Sequence, residues 1–129
     1  MHAASGPLET EPEITPPEGA APQELVVNDI IAGEGAAAAA GDRVTVNYVG
    51  ALYSDGSVFD ASWRRNEPFG FTLGQQQVIA GWEQGIAGMR VGSRRELIIP
   101  PELGYGARGA PPRIPPNETL VFVVDLLDV

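Results

Sequence analysis

Val44, Val46 and Tyr48 alternate with Thr45 and Asn47, a period of two that predicts a strand with one buried face. Leu25 to Ile31 is a second short strand, rich in β-branched residues, broken by Gly33-Glu34-Gly35. The five-alanine run Ala36 to Ala40 lies between Gly35 and Gly41 and is too short to hold a helix alone, so it reads as loop. Asp55-Gly56 predicts a hairpin turn, with the return strand carrying Val58 and Phe59. After the polar stretch 61–67, Phe69, Phe71 and Leu73 share one face of a further strand. The single helical pattern follows: Ile79, Trp82, Ile86 and Met89 fall on one face. Gly81, Gly85 and Gly88 weaken it by roughly 1 kcal/mol each relative to Ala, so it needs tertiary packing, and Gly92 is the expected stop. Arg95 to Ile99 is a strand ended by Pro100-Pro101, residues 102–118 form a Gly/Pro loop, and Leu120 to Val129 is a long closing strand. The sum is an α+β chain in which antiparallel strands curl over one short helix.

Composition narrows the chemistry. The 129 residues carry a formal charge of −9 and no Cys. Disulfides, thiolate metal sites and a cysteine nucleophile are therefore excluded. Every basic residue is Arg, which removes Schiff-base and lysine general-base chemistry. The one His is His2, at the chain's edge, where an imidazole is hard to hold in place. The acidity argues against nucleic acid and anionic membranes as partners. No apolar run is long enough for a transmembrane helix. No signal peptide is visible, so a cytoplasmic location is expected, the alternative being an extracytoplasmic one whose signal segment is absent from this chain. Residues 1–24, with Glu9, Glu11, Glu13, Glu18 and Glu24, five Pro and no Arg, read as a flexible acidic tail, and 25–129 as the domain.

Several motifs have a bland reading beside the sharp one. Gly104-Tyr105-Gly106-Ala107-Arg108-Gly109 matches G-x-G-x-x-G, but that fingerprint must open a helix, which Pro111, Pro112, Pro115 and Pro116 forbid. Pro112-Arg113-Ile114-Pro115 contains P-x-x-P, a polyproline ligand or simply a rigid loop. Asn117-Glu118-Thr119 is a formal glycosylation triplet of a kind common by chance. The set Tyr48, Phe59, Asp60, Phe69, Val78, Ile79, Trp82, Tyr105, Ile114 and Phe122 reads equally as core or as the lining of a pocket. Asp60 in turn reads as a pocket carboxylate or as the cap of the turn Asp60-Ala61-Ser62.

The blocks VTVNYVGALYSDGSVFDAS, NEPFGFTLG, QVIAGWEQGIAGMRVGSRRELIIPPELGYG and IPPNETLVFVVDLL agree in order and spacing with one family. Over about residues 25–129 the chain resembles an FKBP-type peptidyl-prolyl cis–trans isomerase of small, single-domain bacterial form. The resemblance implies a strongly bent antiparallel sheet wrapped around one short helix, a prolyl peptide bond as substrate and no cofactor or metal. Trp82 resembles the indole floor under the proline ring. Tyr48, Phe59, Phe69, Val78 and Phe122 resemble the apolar walls, and Ile79 the residue whose backbone N–H takes a ligand carbonyl. Tyr105 resembles the rim hydroxyl donor, Asp60 the pocket carboxylate steadied by Tyr48 and Arg65, and Ile114 an aliphatic of the overhanging loop. Implied partners are proline-containing polypeptides and macrolides such as rapamycin or tacrolimus, met by a monomer that assists folding. The alternative is a non-catalytic proline-peptide binding module of the same fold. Two positions depart from the family: Ala110 replaces a common His and Arg113 a common aliphatic. Neither performs chemistry, but both bear on macrolide affinity and on the residue preferred before proline. An arginine at the rim predicts tolerance of an acidic residue there.

Such chemistry suits this composition. Prolyl isomerisation breaks no covalent bond: the barrier of ~18–20 kcal/mol is amide resonance. A catalyst must bind the twisted imide better than the planar one, which needs no nucleophile, metal or proton shuttle. Asp60 either acts electrostatically on the rotating carbonyl or organises Tyr48 and Arg65, and organisation is the favoured reading.

Overall fold

The computed structural model describes residues 10–14 and 19–129. The tail expected over residues 1–24 therefore lies partly outside the described residues. Six antiparallel strands form one sheet: β1 (Val26–Ile31), β2 (Arg43–Leu52), β3 (Val58–Ala61), β4 (Phe69–Thr72), β5 (Arg94–Ile99) and β6 (Leu120–Asp128). Their order is β1-β5-β6-β2-β3, with β4 also paired to β2. One helix, α1 (Ala80–Ile86), packs against this sheet. A 3-10 turn at Ser62–Arg65 follows β3, and another at Pro101–Leu103 follows β5. The strand pattern read from the sequence is thus present, with β2 longer than expected because Gly50, Ala51 and Leu52 continue its ladder to β6.

Alternation sets the two faces of the sheet. Val44, Val46, Tyr48 and Leu52 of β2, Leu97 and Ile99 of β5, and Leu120, Phe122, Val124 and Leu126 of β6 meet Phe71, Trp82, Ile86 and Met89 in one core. The opposite row, Val49, Ala51, Ile98, Val121 and Val123, is buried as well. Described residues of the N-terminal segment reach this part of the molecule. Arg94 Nη2 donates to the Thr10 carbonyl at 2.7 Å, Glu11 pairs with Arg64, and the Tyr53 hydroxyl donates to the Gly19 and Ala20 carbonyls at 3.3 Å.

The helix is shorter than its apolar pattern. Ile79 is its N-cap, and Met89 lies beyond its end although fully buried. The stop is at Ala87-Gly88, with Gly88 at φ 83°, and not at Gly92, which forms the turn into β5. A tertiary contact explains this. The Gly88 N–H donates to Ala38 O at 2.8 Å and the Ala38 N–H to Met89 O at 2.7 Å. The alanine loop thus takes up the groups that a continuing helix would use. The helix glycines have a second role, because a Cβ on Gly81 would stand 2.6 Å from Ile99 Cγ2 and one on Gly85 2.6 Å from Leu97 Cδ2. Their lack of side chains lets α1 lie directly on β5, which sets the depth at which Trp82 sits.

Candidate active site

Trp82 is the centre of the site. One helical turn from the N-cap, its indole is 4% exposed. Tyr48 lies 5.0 Å away and Phe122 5.3 Å, both edge-on, with Phe69 at 6.1 Å. Phe59 meets Phe122 edge-on at 5.5 Å. Edge-to-face contacts of this kind are individually favourable and fix ring orientation. Around them lies a cavity of about 200 Å³ lined by Tyr48, Phe59, Asp60, Phe69, Gln77, Val78, Ile79, Trp82, Tyr105 and Phe122. The set that the sequence left open between core and pocket divides accordingly. Tyr48, Trp82 and Phe122 are core residues that also line the pocket, whereas Phe69 and Tyr105, 36% and 40% exposed, form its mouth.

The sheet positions these groups. Register places Gly50 of β2 opposite both Asp60 of β3 and Phe122 of β6. The β2–β3 ladder shifts register between Gly50 and Ala51, which pair with Asp60 and Val58 and leave Phe59 between them. The Ser62 hydroxyl ties the 3-10 turn back to β2: it accepts from the Tyr48 N–H at 2.8 Å and donates to Asn47 Oδ1 at 2.9 Å. Arg65 is thereby brought under the site. It pairs with Asp60 Oδ1 through Nη1 and donates from Nη2 to the Tyr48 hydroxyl at 2.9 Å, and that hydroxyl donates to Asp60 Oδ2 at 2.5 Å. Arg65 is therefore a support beneath the lining and no part of the wall. Ile114 is also outside the aromatic cavity. It is buried and lines an adjoining trough of about 270 Å³ with Phe59, Asp60, Tyr105 and Ala110.

The electrostatics follow from these contacts. Partial burial pushes the Asp60 carboxyl up, but the Tyr48 hydroxyl and the Arg65 guanidinium outweigh it, so the group ionises below the usual carboxylate range. Burial, reinforced by the hydrogen bond to Asp60, pushes the Tyr48 hydroxyl up against the opposing effect of Arg65. Burial and then the Asp60 charge push Tyr105 up as well. At neutral pH the mouth thus presents a fixed carboxylate and two neutral phenols. Among the described residues no cluster of His, Asp and Glu could hold a metal ion, and no helix is long and apolar enough to cross a membrane.

The sequence reading missed two residues. Gln77 lines the cavity, held by its Oε1 accepting from the Thr72 N–H at 2.9 Å, and nothing in its local pattern marks it. Gly50 lies beneath the Phe122 and Phe59 rings, and a glycine inside a strand was the available signal.

The family pattern described as FKBP-type peptidyl-prolyl cis-trans isomerase matches residues 34–127. The chain belongs to this family. It is 53% identical over 120 residues to an FK506-binding protein of Streptomyces anulatus, covering 92% of this chain and 97% of that one. It is 54% identical over 89 residues to the peptidyl-prolyl cis-trans isomerase FPR2 of Saccharomyces cerevisiae, covering 69% of this chain and 66% of that one. The crystal structure of AtFKBP13 superposes with a TM-score of 0.76 at 39% identity, over 83% of this chain and 94% of that one. The FKBP fold expected from the motifs, a bent antiparallel sheet around one helix, is the fold observed, and prolyl isomerisation is the activity that this membership carries.

Proposed function

We propose that this FKBP-type isomerase turns over X-Pro bonds of polypeptide clients by holding a half-rotated imide in the aromatic cavity, and that it assists folding as a monomer. The arrangement that carries this reading is a hollow walled by aromatic and aliphatic side chains, with Tyr105, Asp60, the Tyr48 hydroxyl and Gln77 as its polar groups and Arg65 behind them holding Asp60 and Tyr48. Trp82 floors the proline ring, and Phe59, Phe69, Val78 and Phe122 exclude water from it. Rotation removes the double-bond character of the C–N bond and the charge separation of the carbonyl. A dry wall therefore disfavours the more polar planar form, and each ~1.4 kcal/mol of preference for the twisted form gives tenfold in rate. The Tyr105 hydroxyl and the Ile79 N–H, which opens α1 at the pocket edge, would hold the flanking carbonyls. First-turn N–H groups have no partner within their helix. Asp60 acts as a positioning residue that keeps the Tyr48 hydroxyl and Arg65 in place. Macrolides of the FK506 type would fill the same hollow, in line with the name of the Streptomyces relative.

A refolding assay on a proline-limited substrate, with and without rapamycin, tests activity and pocket identity together. The expected result is acceleration that rapamycin abolishes and that Trp82→Ala reduces by at least tenfold. Near-UV circular dichroism of the variant checks its fold. Unchanged catalysis by a folded Trp82→Ala, Phe122→Ala variant would overturn the mechanism.

A further inference from the structure

Beside the aromatic cavity, and sharing Phe59 and Asp60 with it, lies a larger cleft of about 650 Å³ into which Arg64, Arg65 and Arg113 all project. In a chain of net charge −9, three guanidinia against one carboxylate is a local reversal of sign. Arg65 is committed to Asp60 and Tyr48. Arg113 is held against the shared wall, its Nη1 donating to the Phe59 carbonyl at 2.9 Å, which leaves most of its five N–H donors facing elsewhere. It forms no ion pair with a described carboxylate. Among the described residues Arg64 has one acidic partner: Glu11 Oε2 lies 3.7 Å from its Nη2, and the residue after Glu11 is Pro12. A glutamate directly preceding a proline is thus already drawn to one of these guanidinia by the chain's own sequence.

We infer that the arginine-lined cleft is a subsite for a carboxylate side chain directly before the isomerised proline. This rests on the proposed isomerase reading, which seats the proline on Trp82. The rotating carbonyl belongs to the preceding residue. Phe59 and Asp60 line both the cavity and the cleft, and Tyr105, the rim donor, meets these two residues and Arg113 along the adjoining trough. Neighbouring Cα atoms are only ~3.8 Å apart, so the side chain of that residue extends over Phe59 toward Arg113 and Arg64. The protein's overall charge repels acidic polypeptides at long range, whereas the cleft attracts at contact. Its effect therefore falls on which X-Pro bond is chosen more than on encounter rate.

The test uses the full chain and three peptides identical except for Leu, Gln or Glu before proline. Isomerisation is followed by NMR exchange without a coupling protease. An exposed ion pair gives about a two- to fivefold effect. The ratio of kcat/KM for Glu-Pro over Gln-Pro should therefore fall by about that factor in Arg113→Ile and in Arg64→Gln, and further in the double variant. In the wild type it should also shrink as salt rises from about 0.02 to 0.5 M. Leu-Pro turnover should persist in every variant and reports that each is folded. A Glu/Gln ratio equal in wild type and double variant, with Leu-Pro turnover intact, overturns the subsite alone. Absence of Leu-Pro turnover in the wild type overturns the isomerase reading with it.

Discussion

Gly50 faces Phe122 across the β2–β6 ladder so closely that a Cβ on Gly50 would stand 2.6 Å from Phe122 Cε1 and 2.8 Å from Phe59 Cζ. Two walls of the aromatic cavity thus rest on a missing side chain, and the depth of the hollow is set by the strand beneath it.

Gly50→Ala should therefore lift both rings into the cavity. The expected cost is about 1–3 kcal/mol in stability, as for overpacked cores. Isomerase activity should fall at least tenfold and macrolide affinity should drop. Denaturant melts and a refolding assay measure these. Unchanged activity would mean that the rings find another path around the added methyl group.

On the proposed role of Asp60 in positioning Tyr48 and Arg65, Asp60→Asn should retain about a tenth of wild-type isomerase activity and Asp60→Ala less, though still measurable. Asn keeps an acceptor for the Tyr48 hydroxyl, so it should outperform Ala. Complete loss in a correctly folded Asn variant would assign Asp60 a direct role on the rotating carbonyl.

Turnover of a Leu-Pro peptide should be flat from about pH 5 to 9. Asp60 ionises below the carboxylate range, and Tyr48 and Tyr105 above the phenol range, so none changes charge in that interval. For stability the sign is the usual one for a depressed acid. The Asp60 contribution is present above its unfolded pKa and is lost as pH falls through the lower folded value. A bell-shaped rate profile within the interval would reveal a titrating catalytic group and contradict the mechanism.

Arg94 and Asp125 form a bidentate pair, Nε to Oδ1 at 2.7 Å and Nη2 to Oδ2 at 2.9 Å, with the carboxylate almost wholly buried. Burial pushes the Asp125 carboxyl up and Arg94 pulls against it. Arg94→Ala should cost about 3–5 kcal/mol by stranding the buried charge. A raised folded pKa favours the protonated form, so its stabilising effect holds at low pH and fades as pH rises through the folded value. The variant's deficit in Tm should consequently be larger at about pH 7 than at about pH 4, which calorimetry at the two pH values decides.

Legibility varied with the range of the signal. Strand β2 was visible through the period of two in Val44–Tyr48, and β5 and β6 as apolar runs, the first closed by Pro100-Pro101 and the second following the Gly/Pro loop. The end of α1 was misplaced because Gly88 and Met89 are drawn off by Ala38, some fifty residues away, and no local pattern reports that pairing. Gly81 and Gly85 read as weaknesses of an isolated helix, yet Ile99 and Leu97 occupy the space their side chains would need. Of the pocket, the aromatic members were legible through family motifs, whereas Gln77 carried no local signal and Gly50 only that of a glycine inside a strand.

By itself the chain determined which reactions were open to it. Without Cys or Lys it was left mainly with binding, shape and carboxylates, and its ordered motifs resembled those of a family whose target is a proline bond. Only the folded sheet decided that Gly50 sits beneath Phe122 and that Arg65 lies under Asp60 rather than in the wall. It alone gathered Arg64 and Arg113 around one cleft. Composition and periodicity are properties of neighbours along the chain, whereas a cavity is made by residues far apart in sequence whose distances exist only once the strands have paired.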